Sequence, residues 1–390
     1  MLFLKISDVK VYTVDADIGR GSRHPRQWTF VRIDTDEGIT GWGEASSYPN
    51  NGSFLAGLAI LAQREWLIGQ DPARIEPIWH QMFRRYTSVG AKGATTAAVS
   101  GVDIALWDIR GKALGLPVYE LLGGKFRDDI DLYANGWFSG CATPEDYARA
   151  ARERVLPAGH TALKFDPFFE WEDGYVAGGL SGREARISTD RVLAVRDAVG
   201  PDHEILIDGH GRFNVPTAVE LANRLYDAAR ISWFEEPVPP ESYSALAVVR
   251  PHIRPRISVG ERLFTRFDFV PVLEAKLTDY VMPDICLAGG ITEMRKIANL
   301  AESYHVPFSP HDAQGPIQIV SGAQVCMAIP NFYRLEHSMD AIPAYRRFVS
   351  SPLDFHDGKI TLSSAPGLGI EMNVDAIEAA AVHPEWPSLL

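Results

Sequence analysis

The chain is 390 residues long, 46% of them apolar and 23% charged, with a formal net charge of −12. That length admits two domains or one barrel with an additional module, and the composition supports a large buried core with no segment biased towards disorder. The acidic balance excludes a basic nucleic-acid face, and it leaves an anionic substrate dependent on a metal or on a few well-placed cations.

The first residues, MLFLKISDVKVYTV, alternate apolar and polar positions and read as a strand. They lack the uninterrupted apolar core and small-residue cleavage pattern of a signal peptide. No apolar run approaches the roughly 18 residues of a bilayer span, so the expectation is a soluble cytoplasmic protein with no membrane partner. Cys141, Cys286 and Cys326 lie far apart and form no CxxC pair, which points to reduced, buried thiols.

Residues 3–45 contain two or three extended segments, with turn signals from Asp34 to Gly38. From about Phe54 to Leu116 the apolar spacing becomes helical, and Gly115 with Pro117 stops the last helix. Together these predict an α+β module over residues 1–125.

Beyond about Phe126 short apolar strands alternate with amphipathic stretches, as parallel βα units do. The strands end at Asn135, Asp166, Asp208, Glu235, Glu261, Asp284, His311 and Glu336, about one βα unit apart except for a long step after Asp166. Eight such units over 126–350 predict a closed barrel of the TIM type, whose catalytic groups sit at the C-terminal strand ends. A doubly wound open sheet is the alternative, but no Gly-rich phosphate turn follows the first strand. The stretch FFEWEDGYVAGGLSGREARIST reads as an extended loop over the catalytic face. Residues 351–390 are turn-rich and extended, and are expected to return to the N-terminal module.

Asp208, Glu235 and Glu261 end three consecutive strands and should converge on one rim. Three carboxylates cannot sit together uncompensated, and a hard divalent cation, Mg²⁺ before Mn²⁺, is the natural resolution. The bland alternative is that Glu235 or Glu236 is an ion-pair partner. Asp284 and His311 end the next two strands; an Asp on one ring nitrogen raises the basicity of the other, which makes a general base. His210, two residues past Asp208, could face the substrate as a general acid. His80, His160, His203 and His356 read as structural or exposed.

Lys164 and Asp166, one residue apart, share the inner face of their strand. Lys164 supplies the positive charge that an anion needs, or else makes a structural ion pair with Asp166 or Glu235. A Schiff-base lysine is the aldolase alternative, and neighbouring anions argue against it because they raise the amine pKa.

The segments FEEPV at Glu235, GER at Glu261, PD at Asp284, SPH at His311 and SGVDIALWDIRGK resemble the mandelate racemase branch of the enolase superfamily. The resemblance covers nearly the whole chain, and it implies a modified (β/α)7β barrel with an α+β capping domain completed by the C-terminal segment. LYANGW, ALKFDPF, HGRFN and GERLFTRFDF resemble the gluconate and galactonate dehydratases within it. Racemases of the branch carry a second Lys two residues after the first, and Asp166 stands there in this chain.

The resemblance implies Asp208, Glu235 and Glu261 as metal ligands, His311 with Asp284 as base, His210 as acid and Glu336 as a hydrogen-bonding partner of the substrate carboxylate. It thereby implies a Mg²⁺-dependent dehydratase acting on a small sugar acid, in a homo-oligomer. A cycloisomerase or racemase sharing the enediolate step is the enzymatic alternative, and a catalytically silent binding protein on the same scaffold is the other. Substrate contacts are expected from Asp166 and from cap-loop residues Arg23, His24, Arg26, Tyr48 and Asn50.

Overall fold

The structure, a computed structural model, describes residues 4–18, 26–47, 50–168 and 179–382, the side chains at 50 and 51 excepted. Strands β1 (Ile6–Asp15), β2 (Gln27–Thr35) and β3 (Thr40–Glu44) form an antiparallel sheet in that order. The turn between β2 and β3 closes where Gly38 takes a positive φ of 80°, a conformation glycine adopts at no steric cost.

The helix Ala94–Leu114 packs on this sheet and ends, as its sequence predicts, at Gly115 in the left-handed region. It lies close to the sheet backbone: a Cβ at Gly43 would stand 1.9 Å from the carbonyl oxygen of Gly101. The signature SGVDIALWDIRGK belongs to this helix, and its polar groups join parts of the fold. Asp108 accepts from the backbone of Trp42 at 2.9 Å and of Leu368 at 2.9 Å, and from Lys112 at 2.7 Å. Asp103 accepts from the amide of Thr292 at 2.9 Å.

The barrel consists of β4 (Asp129–Asn135), β5 (Ala162–Phe165), β6 (Glu204–Asp208), β7 (Trp233–Glu235), β8 (Arg256–Val259), β9 (Tyr280–Val281) and β10 (Leu335–Ser338), with neighbours parallel and β10 closing onto β4. One expectation needs correction. The segment ending at His311 is not a continuous strand: it joins its neighbours through isolated bridges, Val281 to Phe308, Phe308 to Phe332 and Asp284 to His311. Pro307 and Pro310 flank Phe308 and lack the amide hydrogens that a regular ladder needs.

After the barrel, β11 (Asp354–His356) and β12 (Lys359–Thr361) form a hairpin, and β12 pairs antiparallel with the first half of β4. This segment therefore extends the barrel sheet before it reaches the capping sheet, which it meets through the backbone bridge between Ala381 and Val14. No described helix is long and apolar enough to cross a membrane.

Behind the barrel wall His337 of β10 stacks on Phe355 of the hairpin at 4.4 Å and lies 5.5 Å from His160. Among the described residues neither nitrogen of His337, nor Nδ1 of His160, has a hydrogen-bond partner. Burial lowers both imidazoles, His337 to about 3 and His160 to about 4, from an ordinary 6.5. Because the folded values are depressed, the stability that depends on neutral rings is present above pH 6.5 and lost as pH falls towards 4. Between pH 7 and pH 5 the unfolding free energy should drop by about 2 kcal/mol per histidine. His337→Leu should remove one such share, and a variant whose urea midpoint falls as steeply as that of the parent would refute the assignment.

Candidate active site

The barrel interior is built in layers. Tyr133, Ala162, Leu206, Trp233 and Tyr280 pack together as an apolar floor. Side chains alternate along a strand, so two residues further on the same faces carry Asn135, Lys164, Asp208 and Glu235. Strand register sets Asp208 directly beside Glu235. Glu261 follows Gly260, whose φ of 147° and close approach to the Met282 backbone leave no room for a side chain.

Oxygens of Asp208, Glu235 and Glu261 lie within 4.8 Å of one another, and all three residues are buried. Burial, then the Asp208 charge, push Glu235 well above the usual carboxylate range. Burial opposes Asp208, but His210 and Lys164 hold it well below that range. Among the described residues, Glu235 Oε2 is buried with no hydrogen-bond partner. An all-oxygen set with an orphaned, buried carboxylate oxygen fits a hard divalent cation.

Lys164 Nζ, 1% exposed, lies 2.6 Å from Glu235, 3.0 Å from Glu336 and 3.4 Å from Asp208. Burial alone would lower its pKa, yet these carboxylates raise it well above the ordinary value, so the amine stays charged. The same three carboxylates argue against a Schiff-base role, which needs a lowered amine pKa. Glu336 also accepts from Tyr133 at 3.0 Å, from Asn135 and from the Asp312 amide at 3.1 Å.

Two histidines flank the carboxylates. His311 Nδ1 meets Asp284 Oδ2 at 2.7 Å, and its Nε2 lies 3.4 Å from Glu261. Burial lowers this imidazole, but Glu336, Glu261 and Asp284 together raise it to about 9. On the other flank His210 Nε2 is 3.3 Å from Asp208, and its side chain is 45% exposed. His210 has a positive φ of 47°, held by its amide donating to Asp208 Oδ1 at 2.8 Å. A non-glycine residue in this region costs energy that the surrounding structure must compensate, a pattern common at active sites.

Asp208, Glu235, Glu261, Lys164, Glu336, Asp284, His311 and His210 thus meet. Arg23, His24 and Tyr48 lie outside the described residues, as does the side chain of Asn50. Asp166 makes these contacts within the protein: its Oδ2 takes Arg212 and His210 Nδ1, the latter at 3.0 Å, and its Oδ1 takes the Phe168 amide at 2.7 Å. Arg26 reaches the Ala313 carbonyl at 3.4 Å and Asp340 at 3.5 Å. The sequence reading missed Arg212, Tyr133, Gln318 and Arg262, which pairs with the buried Glu236. Arg212, Arg262 and Tyr133 carry a local signal, standing in HGR, GER and LYANGW; Gln318 carries none.

Comparison with known proteins places this arrangement. Residues 146–376 match the family described as enolase C-terminal domain-like, and residues 4–123 match the mandelate racemase / muconate lactonizing enzyme N-terminal domain. The chain is 36% identical over 356 residues to a D-gluconate dehydratase of Thermoproteus tenax, covering 91% of this chain and 70% of that protein. It is 38% identical over 376 residues to a D-galactonate dehydratase of Verminephrobacter eiseniae, covering 93% and 94%. Among solved structures, a member of the enolase superfamily from Salmonella Typhimurium superposes with a TM-score of 0.88 at 31% identity, over 96% of this chain and 98% of the other.

Proposed function

The chain belongs to the mandelate racemase / muconate lactonizing enzyme family, on its hydro-lyase side, and from that premise we propose that it dehydrates a sugar acid to a 2-keto-3-deoxy acid. The observation that carries the reading is the pair of histidines, each held by an aspartate, on opposite flanks of one carboxylate cluster. Asp208, Glu235 and Glu261 would hold Mg²⁺, or Mn²⁺ in its place. A proton α to a carboxylate is very weakly acidic, and a bound divalent cation supplies positive charge where negative charge builds after its loss, a superfamily pattern already well described.

The residues divide the remaining work. Lys164 meets the substrate carboxylate with Glu336 beside it, fixing the C2–H bond. His311, with its Nδ1 proton directed at Asp284, takes the C2 proton on Nε2. A cation held at Glu261 would offset one of the charges that keep this ring protonated. His210 donates a proton to the departing C3 hydroxyl, water leaves, and the resulting enol collects a proton at C3 to become the ketone. Small sugar acids such as gluconate, galactonate and xylonate are the substrate class; we further propose a cytoplasmic homo-oligomer.

Purified protein with Mg²⁺ is to be screened against mono- and diacid sugars, with product detected as a 2-keto-3-deoxy acid by a carbonyl reagent. Turnover of one acid names the substrate. Exchange of the C2 proton into D₂O without product, for every acid tested, would replace the reading with a racemase or cycloisomerase. His210→Asn should lower dehydration about 10²- to 10⁴-fold while sparing C2 exchange; loss of both in a folded variant would count against its role as acid.

A further inference from the structure

The helix Pro316–Met327 begins beneath the base, and its first turn carries Gln318, a fully buried side chain outside every motif singled out in the sequence. Both ends of its amide are used. The oxygen accepts from the Gln314 amide at 2.6 Å, which fixes the flip of the group and turns its nitrogen to Asp284 Oδ2 at 2.7 Å. That is the oxygen His311 Nδ1 meets, also at 2.7 Å. Asp284 Oδ1 accepts from the Cys286 amide at 2.7 Å, so three donors converge on one carboxylate.

The same helix start is tied to the capping sheet. Glu44, the last residue of β3, accepts from the Gly315 amide at 2.7 Å and from the Gln318 amide at 3.0 Å, and its Oε1 takes the Ser46 hydroxyl at 2.6 Å. A carboxylate at a helix start satisfies amides that have no partner within the helix. The approach requires glycine at 315, where a Cβ would stand 2.6 Å from Glu44 Oε1.

We propose that Gln318 is a positioning residue for the His311–Asp284 base, held in register by Glu44 of the capping sheet. The physical reason is that Asp284 can orient the imidazole only while its own carboxylate is fixed. With one donor gone, the carboxylate gains freedom about its Cβ–Cγ bond and Nε2 wanders from the C2 proton. Outer partners of this kind typically change activity by about 10- to 100-fold.

The inference rests on His311 being the base of the proposed reaction, so the test has one arm that needs no substrate. Gln318→Met keeps the side-chain length and removes the donor; Glu44→Gln, acting one link upstream, serves as a second variant should the first fail to fold. In the Mg²⁺-loaded enzyme kcat is expected to fall about 10- to 100-fold, with KM changed less than about twofold. The kinetic isotope effect with substrate deuterated at C2 should grow, because proton abstraction becomes slower relative to other steps. In an Asp284→Asn background the Gln318 substitution should have no further effect.

Independently, the far-downfield proton resonance of the His311–Asp284 hydrogen bond, assigned by its loss in His311→Asn, should shift or broaden in either variant. An unmoved resonance overturns the proposal whatever the substrate is, as does loss of kcat with an unaltered isotope effect. A shifted resonance in a protein that dehydrates no sugar acid would sustain the positioning role while the dehydratase reading fails.

Discussion

His311→Asn is expected to lower kcat about 10²- to 10⁴-fold and to abolish C2 proton exchange along with dehydration. The asparagine amide is too short to span from Asp284 to the position His311 Nε2 holds beside Glu261, 3.4 Å away. No other described histidine on this flank pairs with a buried carboxylate. The Asp284 carboxylate would keep Gln318 and the Cys286 amide as donors, so the variant should fold as the parent does. Steady-state rates together with exchange into D₂O, followed by proton NMR, make the measurement. Exchange at the parental rate would remove His311 from the role of base, and the contrast with His210→Asn, which should spare exchange, separates the two flanks.

Lys164→Met should destabilise the metal-free protein by roughly 3–5 kcal/mol, the usual consequence of removing one partner from a buried ion pair. The amine is 1% exposed and lies within 3.4 Å of three carboxylates, so water cannot take its place cheaply. Protons can partly substitute, since Glu235 is already pushed well above the usual range by burial and Asp208. In the variant that folded value would rise further, so stability present at low pH is lost as pH rises, and the loss relative to the parent should grow with pH. Urea unfolding in the presence of a chelator at pH 6 and pH 8 tests this. Added Mg²⁺ should then restore more stability to the variant than to the parent; an unchanged midpoint at both pH values would show that the lysine charge has no part in holding the cluster.

Much of the site could be read from the chain because a barrel strand places its terminal residue at the rim regardless of what lies elsewhere in the sequence. Asp208 and Glu235 end β6 and β7 and are paired by the strand register. Glu261 and Asp284 lie just past the ends of β8 and β9, near enough for the same logic to hold. The segment ending at His311 shows where that logic weakens: its prolines break the ladder, yet the backbone bridge from Asp284 to His311 still brings the dyad together.

Asp166 marks the limit of such reading. Its place on the inner face of β5 follows from alternation, but whether it meets a substrate or another side chain depends on Arg212, which comes from the loop after the neighbouring strand. Gln318 and Glu44 are further apart still in sequence, joined only because the capping sheet sits over the start of one barrel helix. The amino-acid sequence by itself determined the element types, the parallel barrel with its rim of carboxylates and histidines, and the helix ending at Gly115, because periodicity, strand alternation and turn chemistry are local properties. Tertiary structure alone decided which donor meets which oxygen, the Lys164 ammonium shared by Asp208, Glu235 and Glu336 and the hairpin added to β4, because these depend on contacts between residues distant in the chain and on burial, which strengthens every charge interaction it encloses.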